Sequence, residues 1–411
     1  MAASPFADGA AHQPEQHMKI SHPVFKSLVA LALGAFGACM SEFTMMGVLP
    51  DIAQGLDAGI PQAGHFISAY AIGVCVGGPL TVVAARSRPL KNLLLWLMAL
   101  FILGNALTAL AQNYPMMLAA RFVAGLPHGA YFGVAAIVAD KLVDRAYSVM
   151  AISIVVSGAT LANLAGVPCA TFIARLHSWR MSYAVVACVG VAAVLSILIW
   201  VPRLPGLKHS SLRDQFRFLK SPAPWLVGIA IMLGNGGLFC WYSYISPIMT
   251  DVAGFDASRM TLIMAAAGCG MLVGNMISGR LSLRFRAETI AAGTQCLMCV
   301  VLALIFLFAR LPFAAVALMF VGTACMFALS APEQMLLLQN AEGGEMLGSA
   351  LAQIGFNAGN ALGAFCGGLA ISGGYGYAAT ALPGVALAFG GFLLLLVYAA
   401  RYGKKGRDHT A

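Results

Sequence analysis

The sequence predicts an all-α membrane protein of twelve transmembrane helices, arranged as two six-helix halves. Three observations carry that prediction: how apolar the chain is, the length at which its apolar runs recur, and a repeat that relates the first half to the second. Of 411 residues, 60% are hydrophobic and only 9% are charged, with a mean hydropathy of +0.84. That is too little charge to cover a water-soluble globule of this size. Barrel strands would read as short alternating segments, whereas here uncharged runs of about twenty residues recur, the length a helix needs to cross the hydrocarbon core.

Taken in order, the apolar runs between charged or Pro/Gly punctuation fall near 26–50, 62–85, 93–112, 115–138, 148–173, 179–201, 224–249, 258–279, 289–309, 312–332, 346–371 and 376–400. The longest polar connection, "RLPGLKHSSLRDQFRFLKSPAP", lies between the sixth and seventh. The expected organisation is therefore a polar tail over 1–25, a first bundle over 26–201, a linker over 202–223, a second bundle over 224–401 and a basic tail over 402–411. The tail has no apolar stretch of the kind a cleavable signal needs, so the first span serves as its own insertion signal.

With the N-terminus assigned to the cytoplasm, 19 of the 24 Lys and Arg residues fall on the cytoplasmic side. Four (Arg175, Arg180, Arg259 and Arg310) fall outside, and Arg121 falls within a span. The positive-inside rule selects this orientation, with both termini cytoplasmic. The net charge of +9 thus reads as a topology signal and not as a nucleic-acid surface, which would need basic residues gathered on one soluble face. All ten cysteines lie inside apolar runs, where a free thiol behaves as a small hydrophobe. Cys296 and Cys299 form a C-x-x-C in mid-span without a second ligand pair, so no metal and no cofactor is expected.

Sliding the chain on itself by 197 residues superposes Gly37 on Gly234, Gly73 on Gly270, Gly77 on Gly274, Gly125 on Gly322, Gly158 on Gly355 and Gly166 on Gly363. The same shift pairs Asn163 with Asn360, Pro50 with Pro247, Pro115 with Pro312 and Cys169 with Cys366. About two or three glycine coincidences would be expected by chance at this glycine content. Six spans per copy insert both copies the same way, giving parallel repeats related by an axis along the membrane normal, an arrangement that permits rocking about a midplane site.

Several stretches carry packing signals. "RFVAGLPHGAYFG" places Gly125, Gly129 and Gly133 four apart, and "GSALAQIGFNAGNALGAFCGG" does the same with Gly355, Gly359, Gly363 and Gly367. Gly158 and Gly166 form a similar ladder in the fifth span, where Pro168 supplies a bend. Ridges of this kind let another helix approach closely.

"SEFTMMGVLPDIA", "RFVAGLPHGAYFGVAAIVA", "ANLAGVP", "GNGGLFCWYSYISP" and "ALSAPEQMLLLQNAEGGEMLGSA" resemble the major facilitator superfamily. Within it they are similar to the twelve-span drug:proton antiporter group and its AraJ-type branch, assigned to sugar efflux. The resemblance covers about residues 26–402 and implies two pseudo-symmetric six-helix bundles around a central cavity, usually in a monomer of the bacterial inner membrane. One departure stands out. The loop between spans two and three, which in the superfamily resembles G-x-x-x-D-R-x-G-R-R, reads "GGPLTVVAARSRPLKN" here: Gly78, Arg86, Arg88 and Lys91 remain, but the acidic member does not. The counterpart "GNMISGRLSLRFR" keeps Gly274, Gly279, Arg280 and Arg284, so Arg86 and Arg280 are the gating candidates. Glu333 is unusual before Gln334 in this branch.

Glu42 is the first acidic residue within a span. If the first span runs to Pro50, Glu42 lies eight residues, roughly 12 Å, below the surface. If the fourth runs inward from Pro115, Arg121 lies six residues, roughly 9 Å, below the same surface. Facing lipid, each charge would cost about 3 kcal/mol or more, so both should face the bundle interior. Glu42 then either takes up and releases a proton during transport or forms a permanent pair with Arg121. His128 relays protons or bonds a neighbouring helix. Asn235, Tyr244, Gln334 and Asn357 are hydrogen-bonding candidates for the substrate or glue between helices, and Trp241 and Tyr242 either stack on a sugar ring or sit in the aromatic belt. The leading reading is a proton-coupled exporter of a sugar or small amphipathic, drug-like compound. A uniporter or importer of a small polar solute, and a non-transporting membrane sensor with a transporter core, are the alternatives. Enzyme chemistry has no support, since the chain carries no P-loop, no H-E-x-x-H and no nucleophile placed with a base.

Overall fold

The computed structural model describes residues 21–84, 88–144, 147–205, 217–341 and 345–403. Among the described residues, twelve helices are long and apolar enough to span a bilayer. They are α1 (His22–Gly47), α2 (Ile60–Thr81), α3 (Leu90–Leu110), α4 (Tyr114–Lys141), α5 (Ser148–Leu176), α6 (Trp179–Trp200), α7 (Pro222–Tyr242), α8 (Ala257–Leu281), α9 (Ala287–Phe308), α10 (Pro312–Gln339), α11 (Leu347–Ser372) and α12 (Tyr377–Tyr402). The punctuation that separates the apolar runs also caps the helices. Asn113 accepts from the Met116 amide ahead of α4, Ser178 from Met181 ahead of α6, and Ser221 from Ala223 ahead of α7, each satisfying an amide that the first turn leaves unpaired.

The repeat is a repeat of helix crossings. In the first half Gly73 packs on the Phe122 carbonyl and Gly77 on that of Leu126, joining α2 to α4; shifted by 197 residues, Gly270 packs on the Phe320 carbonyl and Gly274 on that of Ala324, joining α8 to α10. Likewise Gly158 lies on the Ala32 carbonyl, joining α5 to α1, and Gly355 lies on Gly228 and Ile231, joining α11 to α7. A side chain at any of these glycines would meet backbone, so the backbones approach as closely as the ladders predict. The α11 ridge continues through Gly359, against Met232 and Gly236, and Gly363, against Gly236 and Cys240. In α4 the ridge is shorter than expected: Gly125 meets the Tyr70 backbone and Gly129 meets Val74, but Gly133 has nothing within 4 Å.

Four differences from the sequence reading bear on the site. Helix α1 begins at His22, inside the expected tail, because Pro23 suits a first helical turn. It ends at Gly47, and a break at Val48 starts a separate short helix, Leu49–Gly55, so the first span does not run to Pro50. Helix α4 is interrupted at Leu126–Pro127 between two segments, Tyr114–Gly125 and His128–Lys141, since Pro127 has no N–H to continue the ladder. Helix α7 stops at Tyr242 and is followed by the turn Ile245–Pro247 and a widened turn, Ile248–Val252. In α5 the bend expected at Pro168 is a widened turn, Ala162–Gly166, in which Val167 donates back to Ala162; Gly166 packs there on the Phe36 ring. Such a turn re-satisfies the backbone next to a proline.

Two sets of contacts define the ends of the bundle. Ser27 donates to the Trp200 carbonyl (2.6 Å), Lys91 to that of Leu198 (2.8 Å) and Arg286 to that of Gly403, gathering the starts of α1, α3 and α9 with the ends of α6 and α12 on one face, called here the termini face. On the opposite face Arg180 donates to the carbonyls of Ala109 and Ala111, and Arg175 pairs with Asp51.

The halves meet through α2 with α11 and α5 with α8. Ser68 donates to the Ala361 carbonyl (3.0 Å), the Cys75 thiol to that of Ile354 (3.6 Å), and Gly268 lies on the Asn163 carbonyl. At the face opposite the termini, Gly47, Thr171 and Met264 of α1, α5 and α8 converge. Met45, Met46, Val48, Leu49, Tyr244, Ile245 and Met249 are all fully buried there. The two halves are packed shut at that face.

Candidate functional site

Helix α1 carries the site because its C-terminal half is enclosed: every residue from Gly37 to Gly47 is buried. Glu42 lies in this stretch, five residues before the helix ends, and is 7% exposed. Its Oε1 accepts from the Asn360 side-chain amide of α11 at 2.8 Å, and its Oε2 lies 3.6 Å from His128 Nε2 of α4. The carboxyl group therefore touches both halves of the protein.

Asn360 is itself held. Asn235 of α7 donates to the Asn360 Oδ1 and to the Phe356 carbonyl (2.7 Å), so the amide oxygen of Asn360 is occupied and its N–H is free to point at Glu42. On the other side, the His128 Nδ1 and the Tyr70 hydroxyl are 2.8 Å apart, and Tyr70 also reaches the Ala38 carbonyl at 3.2 Å. The break at Pro127 sets His128 at the start of the second α4 segment, one helix segment away from Arg121.

Of the two alternatives for Glu42, the permanent pair has no ion-pair contact behind it here: Arg121 turns elsewhere. Its guanidinium lies 4.2 Å over the Tyr70 ring and 5.4 Å from that of Tyr183, and its Nη1 donates to the Ser41 hydroxyl at 3.3 Å. Ser41 in turn donates to Asn105 Oδ1 of α3 at 2.6 Å. Arg121 is fully buried, and its Nε has no partner among the described residues. Aromatic faces lie against the charge, an interaction worth about 2 kcal/mol or more once desolvated. Both side chains lie in the bundle interior, as the depth argument requires, but matching depth does not fix which way two side chains turn.

Next to Glu42, Phe43 faces the second half: its ring lies 6.2 Å from Phe239, 6.2 Å from Tyr242 and 6.5 Å from Phe327, all tilted. A carboxylate with hydrogen-bonding neighbours thus stands beside an aromatic wall built by α7 and α10. Such an arrangement can hold a ligand that offers both a donor group and an apolar face.

The other candidates are distributed as follows. Tyr244 is fully buried and donates to the Ala364 carbonyl (2.6 Å), and Gln334 donates to Ser349 (3.2 Å), so both bridge helices. Asn357 donates to the Gln353 carbonyl at 3.0 Å while its Oδ1 is buried without a partner. Trp241 and Tyr242 are each 1% exposed, which removes the aromatic-belt reading; Trp241 Nε1 has no partner among the described residues. Glu333 is buried with its Oε1 unpartnered among the described residues. Arg280 is exposed at the end of α8, and Arg86 lies outside the described residues. Tyr70, Asn105, Ser41 and Asn360 were not singled out as site residues from the sequence. Asn360 alone left a signal there, as the repeat partner of Asn163 in an apolar helix.

Comparison with known proteins agrees with this architecture. AraJ of Escherichia coli (strain K12), itself named only provisionally as a transporter, is 44% identical over 385 residues, 94% of this chain and 98% of AraJ. A Helicobacter pylori (strain ATCC 700392 / 26695) protein, provisionally named a sugar efflux transporter, is 29% identical over 343 residues, 83% of this chain and 87% of its own length. Among solved structures, the partially occluded inward-open xylose transporter XylE from E. coli superposes with a TM-score of 0.74 at 14% identity, covering 92% of this chain and 98% of that one. These are transporters rather than enzymes, and the model of the Major Facilitator Superfamily matches residues 31–350. The protein is an integral membrane transporter belonging to the Major Facilitator Superfamily.

Proposed function

We propose that the protein is a secondary active transporter of a bacterial inner membrane that exchanges protons for a sugar or a small amphipathic compound, moving the compound outward by alternating access. The observation that carries this reading is Glu42, a buried carboxyl group in contact with both halves and, among the described residues, in no ion pair with a Lys or Arg. Ionisable groups at this depth are costly and are retained at ion and substrate pathways. A carboxylate held by an amide and an imidazole, with Arg121 nearby but not in ion-pair contact, can exchange its charge for a proton or for a donor group of the substrate.

The ligand class follows from the neighbours. The Phe43, Phe239, Tyr242 and Phe327 rings offer an apolar face, and Glu42 with Asn360 offers hydrogen bonds beside it. A sugar ring has this division, as does a small amphipathic drug. The sugar efflux named for the H. pylori relative supports the first class. In this reading both termini are cytoplasmic, and the face opposite the termini, closed in this structure, is the periplasmic one. The protein works as a monomer, and its six-helix halves rock about the level of Glu42.

The test is proton movement in inverted vesicles on addition of arabinose, related oligosaccharides or lipophilic cations, comparing the wild type with Glu42→Gln. Substrate-dependent proton movement that disappears in the variant is expected. Equal substrate movement in both, without a pH change, would overturn proton coupling.

A further inference from the structure

Resting on the proton-coupled reading, we propose that Asn360 is a positioning residue: a directional latch through which the C-terminal half reads the charge on Glu42, and which holds the empty, unprotonated carrier still. Three features of the geometry argue for it. The Asn360–Glu42 hydrogen bond joins α11 to α1, residues 318 apart in sequence, at a buried point. Asn235 occupies the Asn360 amide oxygen, so the group offered to Glu42 is an N–H and nothing else. An N–H bonded to a carboxylate is a charge-assisted contact, roughly twice as strong as one bonded to a neutral acid.

The consequence is a rule for exchange. With Glu42 charged and no substrate bound, the latch is strongest and the halves stay packed at the face opposite the termini. Oε1 already receives the amide, so an arriving proton sits on Oε2, on the His128 side; the carboxyl becomes neutral and the latch weakens. A substrate donor group does the same by competing with Asn360 for Oε1. Either ligand releases the halves, whereas the carrier holding neither does not move, which is what keeps exchange from becoming a leak. The titratable and charged groups facing Glu42 are Cys39 of its own helix, Tyr70 of α2, Arg121 and His128 of α4 and Tyr242 of α7; α11 presents the neutral Asn360.

The experiment uses the full chain in proteoliposomes and has two readouts. The first is substrate-free dissipation of an imposed pH gradient. Asn360→Ala is expected to leak protons about tenfold faster than the wild type, the effect of losing one charge-assisted hydrogen bond. The second is hydrogen exchange of the backbone over 45–53 and 245–253 at one pH, which needs no transport. Asn360→Ala should raise exchange there by about tenfold and Glu42→Gln by less, since the Gln oxygen still accepts from Asn360, and the double variant should match Asn360→Ala, because both act on the same contact. On acidification, after correction for intrinsic exchange, the wild type should open while Asn360→Ala stays flat. Asn235→Leu frees the Asn360 amide without touching Glu42 and should give a smaller rise, which keeps the test alive if Asn360→Ala folds poorly. Additive effects in the double variant, or tight gradients in Asn360→Ala, would overturn the latch while leaving proton exchange intact. Loss of substrate-driven proton movement in the wild type itself would instead remove the reading on which the latch rests.

Discussion

The guanidinium of Arg121 lies 4.2 Å over the ring of Tyr70, and the hydroxyl of the same tyrosine meets His128 at 2.8 Å. Tyr70 thus serves two neighbours with two parts of one side chain: its face balances a buried cation, and its edge orients the imidazole beside Glu42. The parts can be separated. Tyr70→Phe keeps the face and removes the hydroxyl, so stability should fall by only about 1 kcal/mol while the pH profile of transport shifts, because His128 loses the contact that fixes its ring. Tyr70→Leu removes the face as well and should cost about 2 kcal/mol more. Arg121→Lys should resemble Tyr70→Leu in stability, since an ammonium has no plane to stack. Thermal melts in detergent, set beside transport measured from pH 6 to 8, check all three. Equal melts for Tyr70→Phe and Tyr70→Leu would show that the ring face carries nothing.

The glycine crossings make a second prediction. Gly274 faces the Ala324 backbone with no room for a methyl group, whereas Gly133 has open space. Gly274→Val should force α8 from α10 and lower stability by about 1–3 kcal/mol. Gly133→Ala should be neutral or slightly stabilising, by up to about 1 kcal/mol, through helix propensity. Paired melting curves test the contrast; a Gly133→Ala variant as damaged as Gly274→Val would mean that the ridge in α4 serves another packed state.

How far these features were legible in the sequence depends on their physical origin. Helix number and the crossings were legible because they follow from run length and from glycine spacing, both local or periodic properties; Gly158 and Gly355 make equivalent contacts 197 residues apart. That Glu42 faces the bundle interior was legible because a lone carboxyl in an apolar run is expensive wherever it meets lipid. Its partners were not. Arg121 matched it in depth yet turned toward Tyr70, and Asn360 reaches it only once α11 is packed against α2 and α7. Side-chain direction across a helix interface is decided by packing, which no spacing encodes. The breaks at Val48 and Pro127 went unread for a related reason: hydropathy runs unbroken through both, and only backbone hydrogen bonding interrupts the helix.

A third prediction concerns the closed face. Asp51 of the short helix after α1 pairs with Arg175 at the end of α5 at 3.2 Å, while Asp51 Oδ2 and Arg175 Nε are buried without partners among the described residues. Burial pushes the Asp51 carboxyl up from its ordinary value, and the attraction of Arg175 only partly offsets this. A carboxyl whose folded pKa lies above its unfolded one binds its proton first in the folded state. Its contribution to stability is therefore fully present below the ordinary Asp range and declines as pH rises through the raised folded value. Asp51→Asn should remove that slope and leave stability at neutral pH unchanged or slightly higher, because an amide needs no desolvated charge. Arg175→Ala, which leaves the carboxyl half-buried and alone, should do the opposite: lower stability at neutral pH by about 2 kcal/mol and steepen the decline. Melting temperatures of the three proteins between pH 4 and 8 give the answer. A wild type whose stability rises with pH in that window, with Asp51→Asn below it at pH 7, would mean that the ion pair, and not its burial, governs this end of the transporter.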